Sequence, residues 1–152
     1  MMNLPKNGRL AGIDFGTRRI GIAVTDPGQS IASPYENYTR RNERLDAERF
    51  RQLAHDESLV GFVVGLPCHV SGEESQKSIE ARAFGEWLSR TAELPVTFWD
   101  ERYTSIDAEQ QLQAANLTRK RRQARLDMLA AQIMLRAYLE AGRDGYTGNQ
   151  EM

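Results

Sequence analysis

From Leu59 to Gly65 the chain reads Leu-Val-Gly-Phe-Val-Val-Gly, a stretch without one polar side chain. A strand with one wet face alternates apolar and polar residues, whereas a strand covered on both faces does not. The run is far below the roughly 20 apolar residues of a membrane-crossing helix. It therefore predicts a central strand of an α/β fold, with helices packed on both sides of its sheet.

The rest of the chain supplies such elements. Residues 9–15 and 20–26 read as strands, and the short joint Gly16-Thr17-Arg18-Arg19 predicts a hairpin between them. A third strand is expected from Ile31 to Tyr38, with Pro34 restricting it to a sheet edge. Residues 43–57 predict a surface helix with Leu45, Phe50, Leu53 and Ala54 inward. A helix over 75–92 should bury Ile79, Ala83, Trp87 and Leu88, and residues 95–99 form the next strand. A short helix over 105–115 and a basic connector over 116–124 lead to the last helix, whose stripe is Leu126, Leu129, Ala130, Ile133, Met134 and Ala137. The order β-β-β-α-β-α-β-α-α predicts an α/β fold, a mixed five-stranded sheet flanked by helices. One domain over 9–141 is expected, between a tail at 1–8 and a disordered tail at 142–152.

Composition narrows the function classes. The chain has 152 residues and a formal net charge of −1, so no overall basic excess announces a polyanion partner. Any nucleic-acid contact must come from local patches. One cysteine, Cys68, excludes an internal disulfide, and with no signal-peptide pattern the expectation is a cytoplasmic protein that does not associate with membranes. His55 and His69 lack zinc-ligand spacing, and there is no phosphate-loop or dinucleotide fingerprint.

Three carboxylates stand out. Asp14 lies between Ile13 and Phe15 at the end of an apolar strand, where an ionised group is costly unless paired or metal-bound; it could instead accept backbone N–H bonds in the Gly16-Thr17 turn. Glu101 follows the last strand, at the carboxyl end where α/β sheets bind ligands, or it forms a local salt bridge with Arg102. Asp127 lies at the margin of the last helix's apolar stripe, where it could simply favour the positive end of the helix dipole. Together they offer the oxygen donors that Mg²⁺ or Mn²⁺ takes. In a 3-2-1-4-5 sheet, Glu101 would leave a strand two places from Asp14, about 10 Å away, so the chain after Trp99 must lean inward.

Gly12-Ile-Asp-Phe-Gly-Thr-Arg-Arg-Ile-Gly-Ile-Ala-Val-Thr-Asp26 resembles the opening motif of the YqgF family. Val63-Val-Gly-Leu-Pro67, Asp100-Glu-Arg-Tyr-Thr-Ser105 and Arg125-Leu-Asp-Met-Leu-Ala-Ala131 resemble its later motifs in order, so the likeness covers about residues 9–140. These are pre-16S rRNA nucleases, also described as Holliday-junction-resolvase-like, and similar to the RNase H-like superfamily. The resemblance implies an RNase H-like fold and an acidic catalytic set of Asp14, Glu101 and Asp127 binding divalent metal. It also implies nuclease activity in 5′ processing of pre-16S rRNA.

Basic residues adjoin that set. Arg119, Lys120, Arg121, Arg122 and Arg125 precede Asp127, while Arg18, Arg19 and Arg102 neighbour Asp14 and Glu101. Such groups hold phosphates in register without reading sequence. The expected partner is nucleic acid, structured RNA before branched DNA, with the ribosome as a further candidate and either a monomer or a homodimer as the assembly. Two alternatives to rRNA processing stand open: a Holliday junction resolvase and a non-catalytic RNA- or ribosome-associated binding factor. Asp14-Phe-Gly-Thr17 also resembles the phosphate loop of actin-like and sugar-kinase folds, but those need two such domains around a cleft.

Overall fold

A computed structural model of the chain describes residues 3–67, 75–101 and 119–143. In chain order these form β1 (Arg9–Asp14), β2 (Arg19–Thr25), β3 (Ala32–Thr39), α1 (Glu43–Asp56), β4 (Leu59–Leu66), α2 (Gln76–Ala92), β5 (Val96–Asp100) and α3 (Arg119–Arg143). The sheet order is β3-β2-β1-β4-β5. The first three strands form an antiparallel meander, and β4 and β5 add parallel to β1. Pro34 does sit on the edge strand, and the pairing register slips between Ile22 and Ala23, opposite it. The helix expected over 105–115 lies outside the described residues, as do Cys68 and His69.

β4 is covered on both faces, as its apolar run requires. Phe62, Val64 and Leu66 pack with Phe50, Leu53, Phe84 and Leu88 beneath α1 and α2. Val63 packs on the other side with Leu10, Trp99, Ala131, Met134 and Leu135 beneath α3. Leu4 belongs to this second cluster, and the Gln29 amide donates to the Pro5 and Gly8 carbonyls at 2.9 Å, so residues 4–8 are tied to the domain although Pro5, Lys6 and Asn7 are exposed.

Two helices present faces different from the expected ones. In α2 the buried residues are Ser78, Ala81, Phe84, Gly85 and Leu88, while Ile79 is half exposed and Ala83 exposed. Bare Gly85 lets the Phe98 ring close in, and Ser78 is buried at little cost because its hydroxyl donates to the Ser75 carbonyl at 3.2 Å. In α3 the buried residues are Ala131, Met134, Leu135 and Leu139, and Leu126, Leu129, Ala130, Ile133 and Ala137 are only partly covered. The cause is backbone approach: a Cβ on Gly12 would lie 2.9 Å from Leu135 Cβ and 3.3 Å from the Ala131 carbonyl. Close approach of backbones outranks side-chain hydrophobicity in choosing the contact face.

α3 also begins earlier than expected. Residues 119–124 are its first turns, not a connector, because Arg, Lys, Gln and Ala are strong helix formers and no Gly or Pro interrupts them. Asp127 therefore lies beyond the first turn, which contains no acidic residue, so the helix dipole does not account for it.

Candidate active site

Strand alternation determines which carboxylates can meet. Leu10 faces α3, and Gly12 touches Leu135, so Asp14 continues the α3 face of β1. Trp99 faces α3 from β5, and Glu101 continues that face just past the strand end. Asp127 comes down from α3 one turn before Ala131, which is fully buried. Two elements of the sheet and one helix thus aim carboxylates at one region, at the carboxyl end of the parallel strands.

Glycines make the approach possible. Asp14 pairs with Gly21 across β1 and β2, and a Cβ on Gly21 would lie 2.6 Å from the Asp127 carbonyl carbon. Removing that Cβ lets the Asp127 backbone settle beside Asp14. On the other flank, β4 separates Glu101 from Asp14, as the strand order demands. The Glu101 side chain crosses β4 at Gly65, where a Cβ would lie 3.1 Å from its carboxyl carbon. The required inward lean is made by the side chain over a bare strand position.

Electrostatics tie the group together. The Asp14 carboxyl is pushed up to about 7, first by burial and then by the negative charges of Glu101 and Asp127. No hydrogen bond offsets this, so among the described residues the alternative of a turn-bonded Asp14 finds no support. Glu101 is also raised, by burial and then by Asp100; Arg102, the partner in its salt-bridge alternative, lies outside the described residues. Lys77, the second residue of α2, opposes both shifts and so stands close to both carboxylates. Asp127 Oδ2 accepts from Arg19 Nε at 3.1 Å. Among the described residues no three His, Cys, Asp or Glu side chains stand close enough to hold one ion by themselves. The three carboxylates are electrostatic neighbours centred on Asp14.

The basic residues divide. Arg19 joins the site through Asp127, and Arg18 is exposed in the adjoining turn. Arg121 and Arg125 are exposed on α3, and Arg119, Lys120 and Arg122 are helical in backbone. Arg102 lies outside the described residues. Sequence reasoning missed Lys77, Gly21 and Gly65. A glycine interrupting a β-branched run is a recognised sign of close approach and could have drawn attention to Gly65; nothing local distinguishes Lys77 from other surface lysines.

Comparison with known proteins places this geometry. The sequence profile of RuvX, described as a Holliday junction resolvase, matches residues 8–141. The chain belongs to the RuvX family. A Rhodopirellula baltica protein named "Putative pre-16S rRNA nuclease" is 44% identical over 139 residues, covering 91% of this chain and 80% of that protein. A Koribacter versatilis protein of the same name is 40% identical, covering 88% of each. Among solved structures, Thermus thermophilus RuvC in complex with a Holliday junction substrate superposes with a TM-score of 0.55 at 15% identity, covering 91% of this chain and 97% of that one. The likeness to RuvC establishes the RNase H-like fold. RuvX membership makes this chain a nuclease by family, a hydrolase of phosphodiester bonds. Among the described residues no helix is long and apolar enough to cross a membrane.

Proposed function

We propose that this chain is a divalent-metal-dependent nuclease of the cytoplasm, that residues 9–141 are its working domain, and that it processes the 5′ end of pre-16S rRNA. The observation that carries the reading is Asp14: a largely desolvated carboxylate with no hydrogen bond among the described residues, flanked by Glu101 and Asp127. Such a group is unfavourable in an apo protein and suits a hard cation, since Mg²⁺ or Mn²⁺ is usually held by one or two carboxylates plus substrate phosphates. Asp14, Glu101 and Asp127 would be the protein's donors to the ion. When bound, the ion supplies an activated water and neutralises charge at the leaving oxygen.

The chain's own residues do the rest. Burial around Asp14 and Glu101 keeps the local dielectric low, which strengthens their pull on a cation. Arg18, Arg19, Arg121 and Arg125, with Arg102, Arg119, Lys120 and Arg122, would hold the phosphate backbone in register. The rRNA substrate is the one named for both relatives above. Branched-DNA cleavage is the second reading, supported by the description of the family itself; it would call for a homodimer with two sites.

The test is calorimetric titration of Mn²⁺ into the wild type and Asp14→Asn, followed by cleavage of a precursor 16S rRNA fragment and a four-way DNA junction. Saturable binding and RNA cleavage, both lost in the variant, are expected. Junction cleavage alone would select the second reading. RNA binding that survives the substitution, with no turnover by either protein, would sink the enzyme and leave a binding factor.

A further inference from the structure

Arg40 follows the edge strand β3 at the same end of the sheet as Asp14, because β3 runs parallel to β1 with β2 reversed between them. Its backbone N–H donates to the Arg18 carbonyl in the β1–β2 turn at 2.9 Å. Its side chain is held from two directions. Nε donates to Asp46 Oδ2 at 3.3 Å, and the guanidinium carbon lies 5.3 Å from the Phe15 ring centroid and 5.7 Å from that of Phe84. Phe15 is the residue after Asp14, and it packs toward α1 and α2 where Asp14 faces α3.

Asp46 makes this anchoring firm. It is 2% exposed and also accepts from the Tyr38 hydroxyl at 2.6 Å and the Arg41 N–H at 3.0 Å. That network uses one N–H of Arg40. The side chain remains 30% exposed, and its Nη groups have no acceptor among the described residues. A guanidinium held within cation–π distance of two aromatic rings keeps its planar fork of N–H donors, which matches phosphate oxygens. Its side-chain freedom is already lost before any ligand arrives, which removes part of the entropic cost of binding.

We propose that Arg40 is a substrate-binding residue that grips a phosphodiester of the nucleic-acid strand as it crosses the carboxyl end of the sheet on the α1–α2 side. The assignment rests on the nuclease reading above and extends it: Arg19, Arg121 and Arg125 contact the strand from the α3 side, and Arg40 contacts it from the other. A purely structural Arg40 would do no more than neutralise Asp46.

Fluorescence anisotropy in metal-free buffer separates these roles. The probes are a labelled RNA hairpin with a single-stranded extension and a labelled four-way DNA junction, titrated between about 50 and 200 mM salt. Arg40→Gln can still donate to Asp46, so it should remain folded by thermal unfolding while its log–log salt slope falls by about 0.7 to 0.9, one phosphate contact. Asp46→Asn keeps the Arg40 charge but loosens its anchor, so affinity should drop about two- to tenfold with the slope unchanged. The probe that shows the larger loss identifies the strand contacted. An unchanged slope in a folded Arg40→Gln, or unchanged affinity in Asp46→Asn, overturns the assignment and leaves the nuclease reading standing. Wild-type protein without salt-dependent binding to either probe overturns both.

Discussion

The carbonyl of Asp127 rests against the bare Cα of Gly21, its carbon 2.6 Å from where a Cβ would be built. Gly21 in turn is the register partner of Asp14. One missing methyl group on β2 thus sets the distance between a carboxylate of the sheet and a carboxylate of the long helix. Gly21→Ala should push α3 away from β2 and cost about 1–3 kcal/mol by overpacking. In a chain of this length that is a fall of several degrees in Tm, readable by thermal unfolding. An alanine variant with wild-type stability would show that the helix can move aside freely.

Gly65→Ala should behave differently. The added Cβ would meet the flexible end of Glu101, at 3.1 Å from the carboxyl carbon and 3.2 Å from Cγ. The side chain can swing aside, so stability should change by less than about 1 kcal/mol. Displacing Glu101 should nonetheless lower metal-dependent cleavage at least about tenfold, and Glu101→Gln should match that loss, because one donor is lost from the ion. Cleavage rates measured beside unfolding curves separate the two effects, and full activity in Gly65→Ala would argue that Glu101 acts from elsewhere.

The Asp14 carboxyl binds its proton more tightly in the folded chain, at about 7, than in an unfolded one, at 3.8. Below about pH 4 it is protonated in both states and makes no difference. Between about pH 4 and 7 the folded state keeps a proton that the unfolded state has released, so metal-free stability falls as pH rises. Above that window the whole cost is present, on the order of 4 kcal/mol for a shift of about three pH units at about 1.4 kcal/mol each. Asp14→Asn should flatten this profile and exceed the wild type in Tm at pH 8 without metal. Denaturation across that pH range checks it; parallel profiles for the two proteins would contradict it.

Lys77 counteracts the upward shifts of both Asp14 and Glu101. Removing its charge in Lys77→Ala should move the acidic limb of the cleavage pH profile to higher pH, and Lys77→Arg should restore it. A limb that stays in place while KM rises would instead assign Lys77 to substrate contact.

Much of this was legible in the chain. Element order, the edge position of β3 and the two-sided burial of β4 follow from periodicity and turn chemistry, which are local properties. The acidic set was suggested by residues out of keeping with their apolar neighbours, Asp14 most plainly. The buried faces of α2 and α3 are not legible from hydrophobicity, because Ile79 and Ile133 are more hydrophobic than Ser78 and Ala131, yet close backbone packing prefers the smaller residues. The start of α3 is hidden in the sequence because a dense run of charge suggests a solvated loop, although arginine and lysine are good helix formers.

By itself the sequence determined what each segment would become and which side chains were out of place, since those depend on neighbours a few positions away. Only the tertiary structure decided that Asp14, Glu101, Asp127 and Lys77 share one region and that Arg40 is anchored beside it. Those relationships depend on where β4 lies between β1 and β5, and on how closely α3 settles on two glycines. Both are packing outcomes between segments distant in the chain, and no local pattern encodes them.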